Sequence, residues 1–483
     1  MTLNLALYSP ELILCFTLIF ALIIHMVSKH RTLTFITVLI GLTVSGIDVV
    51  SLYHYEPQLY FSSHLSHDSF SLFFKILFIG VTTLTILFGF ESHEITEEQL
   101  PEFYTLLLSV TIGLCTLVSS THLLTLYLSL ELVSITSYVL AGFKKENLLS
   151  NEASIKYLIY GALASGTLLW GLSLLYGFTG SFQLSSIQAT LTSSPLESLS
   201  GYLLFFMLLF GFGFKMTIAP FHMWAPDVYQ GAPTPIVAFL TVAPKAAGFA
   251  FFIRVFFTLF AKPSDIPAHW VPITLFSWPT IMAILSAITM TIGNLSALFQ
   301  QNTKRMLAYS SIAHAGYLLM GIVVLNQQGL AAILFYIFVY FFMNFGAFFI
   351  VGLVGDVFKD EKIKSFRGLG WKSPLVGIPM AIFLLSLTGI PPFAGFVGKV
   401  YLFSSLIKGG VYWLLIIAII NTVISFYYYA YIIKEMFLEK PDNKTPLSLT
   451  FLQGLSLSVL TLGTCVLGIY WEPAYQWILS SLP

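Results

Sequence analysis

Residues 201–249 read GYLLFFMLLFGFGFKMTIAPFHMWAPDVYQGAPTPIVAFLTVAPKAAGF, and this stretch decides the fold. Lys215 and Lys245 stand inside runs that are otherwise apolar enough to lie in lipid, and prolines including Pro220 and Pro226 interrupt the chain between them. An ammonium at bilayer depth costs about 3 kcal/mol or more even on the lenient insertion scales. A helix that breaks at that depth is tolerated only where protein or a wet cavity covers the freed backbone groups. Together these features predict a polar pathway through a membrane.

The composition predicts a polytopic membrane protein. The 483 residues are 57% hydrophobic and 9% charged, with a mean hydropathy of +0.87, whereas soluble domains carry roughly 25% charged residues. The formal net charge is zero, which indicates no nucleic-acid partner. Cys15, Cys115 and Cys465 are widely separated in apolar runs, so neither a metal site nor a disulfide framework is expected. The N-terminus has no basic leader followed by a small-residue cleavage site, so no cleavable signal is expected.

Apolar stretches of about 20 residues predict an all-α fold with about fourteen transmembrane helices. The predicted spans are 10–28, 33–53, 69–90, 101–119, 122–142, 155–178, 201–230, 234–258, 270–293, 307–325, 329–353, 376–406, 411–434 and 450–471. A polar connection at 181–197 is predicted to include a short surface helix.

The distribution of basic residues predicts the orientation of the chain, because Lys and Arg concentrate in inner loops. With the N-terminus outside, the outer loops hold only Arg254, Lys262 and Lys408, while most others, including Lys304 and Lys444, fall on the inside. Both termini are then predicted outside, as an even number of spans requires.

Two of the predicted spans are broken. The span 201–230 carries Lys215 just before TIAPFHMWAP, and 376–406 carries Lys399 just after two prolines. They lie an odd number of spans apart and so have opposite orientations, which is typical of an inverted repeat with a site near the membrane midplane. The predicted domains are three N-terminal helices at 1–100, a first repeat at 101–258, a second inverted repeat at 259–435 and a C-terminal helix at 436–483. Two pairings across the repeats stay open, Glu131 with His314 or Glu131 with Ser310.

Seven ionisable residues are candidates for the pathway: Glu131, Lys156, Lys215, His222, Lys245, His314 and Lys399. The alternative for the mid-span members is a structural role, as a hydrogen-bonded neutral carboxyl or a counter-charge. His222 could instead cap the broken helix, and Lys156 could snorkel from the inner end of its span. Three further charged residues are expected to have structural rather than pathway roles: Lys75 close to an outer end of its span, and Asp227 and Lys304 as loop or cap residues.

An acid and several buried lysines suit proton transfer. Burial favours the neutral form of a lysine, whereas a nearby carboxylate favours the charged form. Separating Glu131 from Lys215 would therefore release a proton towards Lys245. The sequence has no GxGxxG, no P-loop and no cysteine cluster, so we expect the driving energy to come from a partner subunit or an ion gradient.

Three motifs carry a resemblance to a known family. HMWAPDVYQGAPTPIVAFL at 222–240, TKRMLAYSSIAHAGYLLMG at 303–321 and GIPPFAGFVGKVYLF at 389–403 resemble the antiporter-like membrane subunits of complex I, the NADH–quinone oxidoreductase. The PDVY tetrad at 226–229, the length near 480 and the lysine of the second broken helix are similar to the N-type members of bacteria, and also to a plastid and cyanobacterial relative. The resemblance covers nearly the whole chain.

The resemblance implies two inverted five-helix repeats, fourteen helices and one proton channel. It implies that Glu131 and Lys215 form a charged pair, that Lys245 connects two half-channels and that Lys399 leads to the outside. Lys156 and His222 fall on positions that the family uses, and His314 where relatives place Lys or His. NADH, FMN, iron–sulfur clusters and quinone are then expected on partner subunits, none on this chain. The implied partners are other membrane subunits, including further antiporter-like ones, in the bacterial inner membrane rather than the thylakoid.

Other functions share some of these features. A subunit of a multi-subunit cation/proton antiporter would also have broken helices and buried lysines. A stand-alone secondary transporter would be active as an isolated chain. A structural subunit would use its charges only to hold helices together.

Overall fold

The computed structural model of the protein describes residues 4–194, 196–274, 276–440 and 446–482, and it is almost entirely helical. The α-helices of the described residues are α1 (Ser9–Ser28), α2 (Arg31–Ser51), α3 (Ser69–Glu91), α4 (Leu100–Ser119), α5 (Leu123–Ala141), α6 (Leu148–Thr179), α7 (Leu184–Ser193), α8 (Ser198–Met216), α9 (Trp224–Gly231), α10 (Thr234–Phe260), α11 (Trp278–Leu298), α12 (Thr303–Val323), α13 (Gln327–Phe358), α14 (Leu369–Lys372), α15 (Pro374–Thr388), α16 (Ala394–Lys408), α17 (Tyr412–Phe437), α18 (Phe451–Ile469) and α19 (Glu472–Ser480).

Two small hairpins complete the regular structure. β1 (Gln58–Tyr60) pairs antiparallel with β2 (Leu65–His67), and β3 (Ala261–Pro263) pairs antiparallel with β4 (Trp270–Pro272). Short 3₁₀ turns lie at Leu5–Tyr8, Leu52–His54, Glu97–Gln99 and Ile363–Phe366.

The predicted all-α membrane fold is confirmed. Among the described residues, 13 helices are long and apolar enough to cross a membrane, and a bent pair that ends in α15 raises the count to 14. The short helix predicted within 181–197 is α7. The division into domains at 1–100, 101–258, 259–435 and 436–483 stays a prediction, and Lys444 lies outside the described residues.

Two local predictions are wrong. The span predicted at 270–293 begins only at Trp278, because residues 270–272 pair with β3 instead. Arg254, predicted in an outer loop, lies inside α10. There its guanidinium donates two hydrogen bonds of 2.9 Å to the Asp68 carboxylate, which accounts for a charged residue on an apolar helix.

The first predicted break lies between α8 and α9. α8 ends at Met216, and Thr217 then takes a left-handed conformation with φ 58°. The N–H of Ala219 within the break donates to the Thr289 hydroxyl of α11 at 3.0 Å. The Trp224 indole N–H donates to the Phe214 carbonyl of α8 at 3.2 Å. Protein groups therefore satisfy freed backbone atoms, as a break at membrane depth requires.

The second predicted break lies between α15 and α16. α15 ends at Thr388, and Gly389 follows with φ 90°, a conformation that glycine adopts without steric cost. The N–H of Gly395, in the first turn of α16, donates to the Ser386 hydroxyl at 3.0 Å. Both interruptions thus fall where prolines and glycines predicted them.

Helices α10, α12 and α13 form the centre of the bundle. Nearly every residue of α10 and α12 is buried, and α13 is buried over most of its length. In contrast, α1, α2, α17 and α18 expose many large apolar side chains on their outer faces, as expected for helices in contact with lipid. The predicted lysines of α8, α10 and α16 point into this centre, where they are at most 7% exposed.

Candidate functional site

Lys215 lies in the last turn of α8, immediately before the first break. Its ammonium has no hydrogen-bond partner among the described residues and is surrounded by aromatic rings. The Nζ atom is 5.7 Å from the centroid of Phe214, 5.9 Å from that of Tyr138 and 6.0 Å from that of Tyr157. Ring faces attract a cation weakly, so this ammonium is held without being locked in an ion pair.

Glu131 stands on α5, two helical turns before Tyr138. One carboxylate oxygen, Oε1, is buried and accepts no hydrogen bond from the described residues. The carboxylate and the Lys215 ammonium form no ion pair within the 4.0 Å that defines one. The structure therefore shows two buried ionisable groups, each without a hydrogen-bond partner at that atom among the described residues and without direct contact between them.

Lys245 lies at the middle of α10 and is 2% exposed. Its ammonium donates a hydrogen bond of 2.8 Å to the Ser311 carbonyl of α12 and a second, short one to the Ser311 hydroxyl. One turn along α10, Gly248 packs against α8, because a Cβ there would lie 3.3 Å from the carbonyl carbon of Lys215. The glycine allows the two lysine-bearing helices to approach closely.

His314 lies one turn beyond Ser311 on α12 and is 2% exposed. Its Nδ1 is 2.7 Å from the Tyr336 hydroxyl of α13, and its Nε2 is 3.2 Å from the Tyr429 hydroxyl of α17. Tyr429 also bonds to Ser310. An imidazole between two hydroxyls can accept a proton on one nitrogen and release one from the other.

Lys399 lies on α16, just after the second break. Its ammonium donates a hydrogen bond of 2.8 Å to the Thr388 carbonyl and lies 4.6 Å above the Tyr317 ring of α12. The Tyr317 and His314 rings are 5.9 Å apart. Lys245, His314 and Lys399 thus lie buried around α12, through Ser311, His314 itself and the Tyr317 ring, and Lys215 adjoins Lys245 through Gly248. We call these four residues the buried axis.

The remaining two predicted residues lie apart from this axis. Lys156 of α6 is 37% exposed and pairs with Glu152 at 2.6 Å and with Asp227 of α9 at 2.5 Å. His222 lies in the first break, and among the described residues its buried Nδ1 has no hydrogen-bond partner and no side chain caps the N-terminus of α9. Neither residue contacts the lysines of the axis, and their predicted roles stay predictions.

A charged cluster lies at one end of the bundle beside the start of α10. Lys304 is buried and pairs with Glu361 at 2.8 Å, while Glu94 pairs with Lys144 and accepts a hydrogen bond from the backbone N–H of Thr234 at 3.2 Å. The four charged side chains of this cluster line a cleft of about 920 Å³. Although burial raises the pKa of the Glu94 carboxyl, the lysines of this cluster outweigh it and lower that pKa to about 2. Glu94 therefore stays ionised at neutral pH, as a fixed charge in the loop before α4.

Lys75 and Glu11 form a second buried ion pair, with 2.8 Å between Nζ and Oε1 and side chains that are 1% and 0% exposed. It joins α3 to α1. The structural role expected for Lys75 agrees with this contact, although its partner is a buried carboxylate rather than solvent.

Sequence reasoning missed the tyrosines and amides of α13 and α17. Tyr336, Tyr340 and Asn344 recur every four residues on α13, which places them on one face. That spacing within an otherwise apolar helix is a signal that could have identified them. Among the described residues, no group of three or more His, Cys, Asp or Glu side chains could hold a metal ion.

Comparisons with known proteins agree with this architecture. The family described as NADH:quinone oxidoreductase/Mrp antiporter, TM, matches residues 120–425. NADH-quinone oxidoreductase subunit N 2 from Sorangium cellulosum is 42% identical over 499 residues, which cover 99% of this chain and 97% of that protein.

Solved structures share the fold. A chain of respiratory complex I from Thermus thermophilus with bound aureothin is similar with a TM-score of 0.81 and 30% identity, over 97% of this chain and 98% of that chain. A chain of the Mrp complex from Dietzia sp. is similar with a TM-score of 0.85 and 18% identity, over 99% of this chain and 97% of that chain. At that identity the second likeness shows the fold alone.

Proposed function

This chain belongs to the subunit N family of NADH-quinone oxidoreductase, and we propose that its buried lysines, carboxylate and imidazole carry the protons that this complex moves across the membrane. The chain is a proton-translocating, multi-pass membrane subunit of a multi-subunit complex. The roles assigned to individual residues are our proposal.

The observation that carries the proposal is the buried axis itself. Lys215, Lys245, His314 and Lys399 come from four different helices, yet all lie within the protein and are between 2% and 7% exposed. Ionisable groups inside a membrane are expensive, so they persist where they serve ion or proton movement. Their arrangement beside two broken helices supports a path with one interruption near each of its ends.

In this proposal Glu131 governs the charge of Lys215 through space. Because the two groups are not in contact, a small movement of α8 or α5 changes their interaction without breaking a hydrogen bond. Lys245 receives the proton, His314 passes it between its two tyrosine partners, and Lys399 releases it. Lys156, paired with Asp227 at 2.5 Å, and His222 would serve the approach to Lys215.

We propose that the redox chemistry takes place on partner subunits, where NADH, FMN, iron–sulfur clusters and quinone would bind. The sequence offers no nucleotide-binding motif and no cysteine cluster for such groups. We further propose that the partners include other antiporter-like subunits and that the chain resides in a bacterial inner membrane with both termini outside, in keeping with its basic inner loops.

The test uses the assembled complex in inverted membrane vesicles. K215A, K245A and K399A are expected to lower NADH-driven proton uptake severely while the complex still assembles. K262A is the matched control, because Lys262 is an exposed lysine of β3 outside the axis. Normal proton uptake in assembled K215A and K399A complexes would overturn the proposal in favour of a structural role.

A cation/proton antiporter subunit is the second candidate, because the Mrp complex shares the fold. Proton uptake that continues without sodium would favour the oxidoreductase. Strict dependence on sodium would favour the antiporter.

A further inference from the structure

Helix α13 carries a row of three polar side chains inside the apolar centre of the protein. Tyr336, Tyr340 and Asn344 are 0%, 2% and 0% exposed, and their neighbours in the sequence are almost all large and apolar. The four-residue spacing places the three on one face of the helix. We call them the α13 stripe.

The α13 stripe spans the gap between Lys245 and His314. The Tyr336 hydroxyl is 2.7 Å from His314 Nδ1. The Tyr340 ring is close to both ionisable residues, with its centroid 5.8 Å from Lys245 Nζ and 5.2 Å from the centroid of the His314 ring. The Asn344 amide donates a hydrogen bond of 2.8 Å to Thr241, one turn before Lys245 on α10.

Two atoms of the stripe are buried without a hydrogen-bond partner among the described residues: the Tyr340 hydroxyl and Asn344 Oδ1. Buried polar atoms in native proteins are almost always hydrogen-bonded, to protein or to ordered water. A site with several such atoms around it is one that ordered water can occupy. The hydroxyl of Tyr229, whose ring lies 6.4 Å from that of Phe348 on α13, is also buried without a partner in the part of the chain that the structure describes.

We propose that the α13 stripe binds ordered water and conducts the proton from Lys245 to His314, a role that rests on the proposed function of the axis. The Lys245 ammonium gives a proton to a water held by Tyr340 and Asn344. The Tyr340 hydroxyl accepts a proton on its oxygen and releases its own hydrogen to the next water, and Tyr336 does the same towards His314 Nδ1. Lys245 ends neutral and His314 ends as an imidazolium, so the net charge is conserved and the tyrosines stay neutral.

Y340F is the decisive variant, because it keeps the ring and removes only the hydroxyl. We expect assembled Y340F complex to lose at least half of its proton translocation per NADH oxidised, and N344L to lose a similar share. The double variant Y340F/N344L should be no worse than the stronger single variant, since both changes interrupt one route.

Y104F is the matched control. Tyr104 of α4 is also fully buried with an unpartnered hydroxyl among the described residues, but it has no contact with the axis. Its proton translocation should be unchanged. An equal loss in Y104F and Y340F would assign the effect to packing and overturn the proposal.

The variant K245A tests the proposed function of the buried axis separately from the role of the α13 stripe. If K245A abolishes proton translocation while Y340F and N344L leave it intact, the proton does not pass along the α13 stripe. The route would then run through the Ser311 hydroxyl, which is hydrogen-bonded to Lys245. If K245A itself has no effect, the proposed function fails. A density map that resolves water gives an independent readout: water within hydrogen-bond distance of the Tyr340 hydroxyl and Asn344 Oδ1 is expected, and a dry site would overturn the proposal even if Y340F did not assemble.

Discussion

The Lys399 ammonium donates a hydrogen bond of 2.8 Å to the carbonyl oxygen of Thr388, across the interruption between α15 and α16. Thr388 is the last residue of α15, so no N–H group of its own helix can donate a hydrogen bond to its carbonyl oxygen. The lysine therefore joins the two half-helices and places a positive charge at the negative end of the α15 dipole. Loss of the proton from Lys399 would weaken both interactions at once.

The first prediction concerns this contact. K399M removes the charge and the hydrogen bond but keeps the length of the side chain, so proton translocation should fall severely. K399R retains a charge and should retain part of the activity. NADH-driven proton uptake in vesicles measures both. K408M, at the exposed end of the same helix, is the control, and a K399M complex that pumps normally would contradict the prediction.

The second prediction concerns the approach of α8 to α10. A Cβ at Gly248 would lie 3.2 Å from the Met216 side chain and 3.3 Å from the Lys215 backbone. G248V adds a branched side chain at this contact, so it should push Lys215 away from Lys245 and lower proton translocation more than G248A does. G166A is the control, because a Cβ at Gly166 meets nothing within 4 Å. Equal activity in G248V and G166A would show that the helix spacing does not matter.

The third prediction concerns pH. Burial raises the pKa of the Asp68 carboxyl, but Arg254 and nearby donors outweigh it and lower that pKa from 3.8 to about 2. A carboxyl with a lowered pKa in the folded state stabilises the protein above its unfolded pKa, here by about 2 kcal/mol, and loses that effect as the pH falls towards 2. D68N should therefore lower the thermal unfolding midpoint at pH 7. Because Asn can still cap α3, the loss would come from the missing charge and not from a missing cap.

The difference between D68N and the parent protein should shrink as the pH falls from about 4 to about 2, because the carboxyl of the unfolded chain takes up a proton first and that of the folded protein only near pH 2. D265N, in the exposed turn between β3 and β4, should leave the midpoint unchanged at every pH. A constant difference between D68N and the parent across this range would refute the ionic explanation.

The fourth prediction concerns the ion pair of Glu11 and Lys75. Removing one partner leaves an unpaired buried charge, which typically destabilises by about 3–5 kcal/mol. E11Q and K75M alone should therefore reduce the amount of assembled complex, and the apolar pair E11L/K75M should recover most of it. Blue-native gels and thermal unfolding measure the effect. R31A, which breaks a pair with the exposed Glu97, should have little effect.

The spans and breaks were predictable because they depend on local composition. Runs of apolar residues predict helices, and the prolines and glycines near Lys215 and Lys399 predict interruptions at the places where the structure has them. The start of α11 was not predictable in the same way. Residues 270–272 are apolar enough to extend the helix, but pairing with β3 fixes them as a strand.

Contacts between distant residues were beyond reach of the sequence. The partner of Arg254 is 186 residues away, and the partner of Lys75 lies on another helix. The charged pair of Glu131 and Lys215 was expected from a resemblance, and it stays a prediction, since the two side chains make no direct ion pair in the structure. The α13 stripe escaped notice because tyrosines in an apolar run are equally typical of packing or of the membrane interface, and only their contacts distinguish these roles.

The hydroxyl of Thr289, on α11, accepts a hydrogen bond of 3.0 Å from the Ala219 N–H of the first interruption. That interruption lies in the first half of the chain, while α11 lies in the second. Any movement of the first interruption must therefore either displace α11 or be resisted by it. A movement near Lys215 would in this way be transmitted through α11 to the half of the chain that contains Lys399, before any proton has moved between the two lysines.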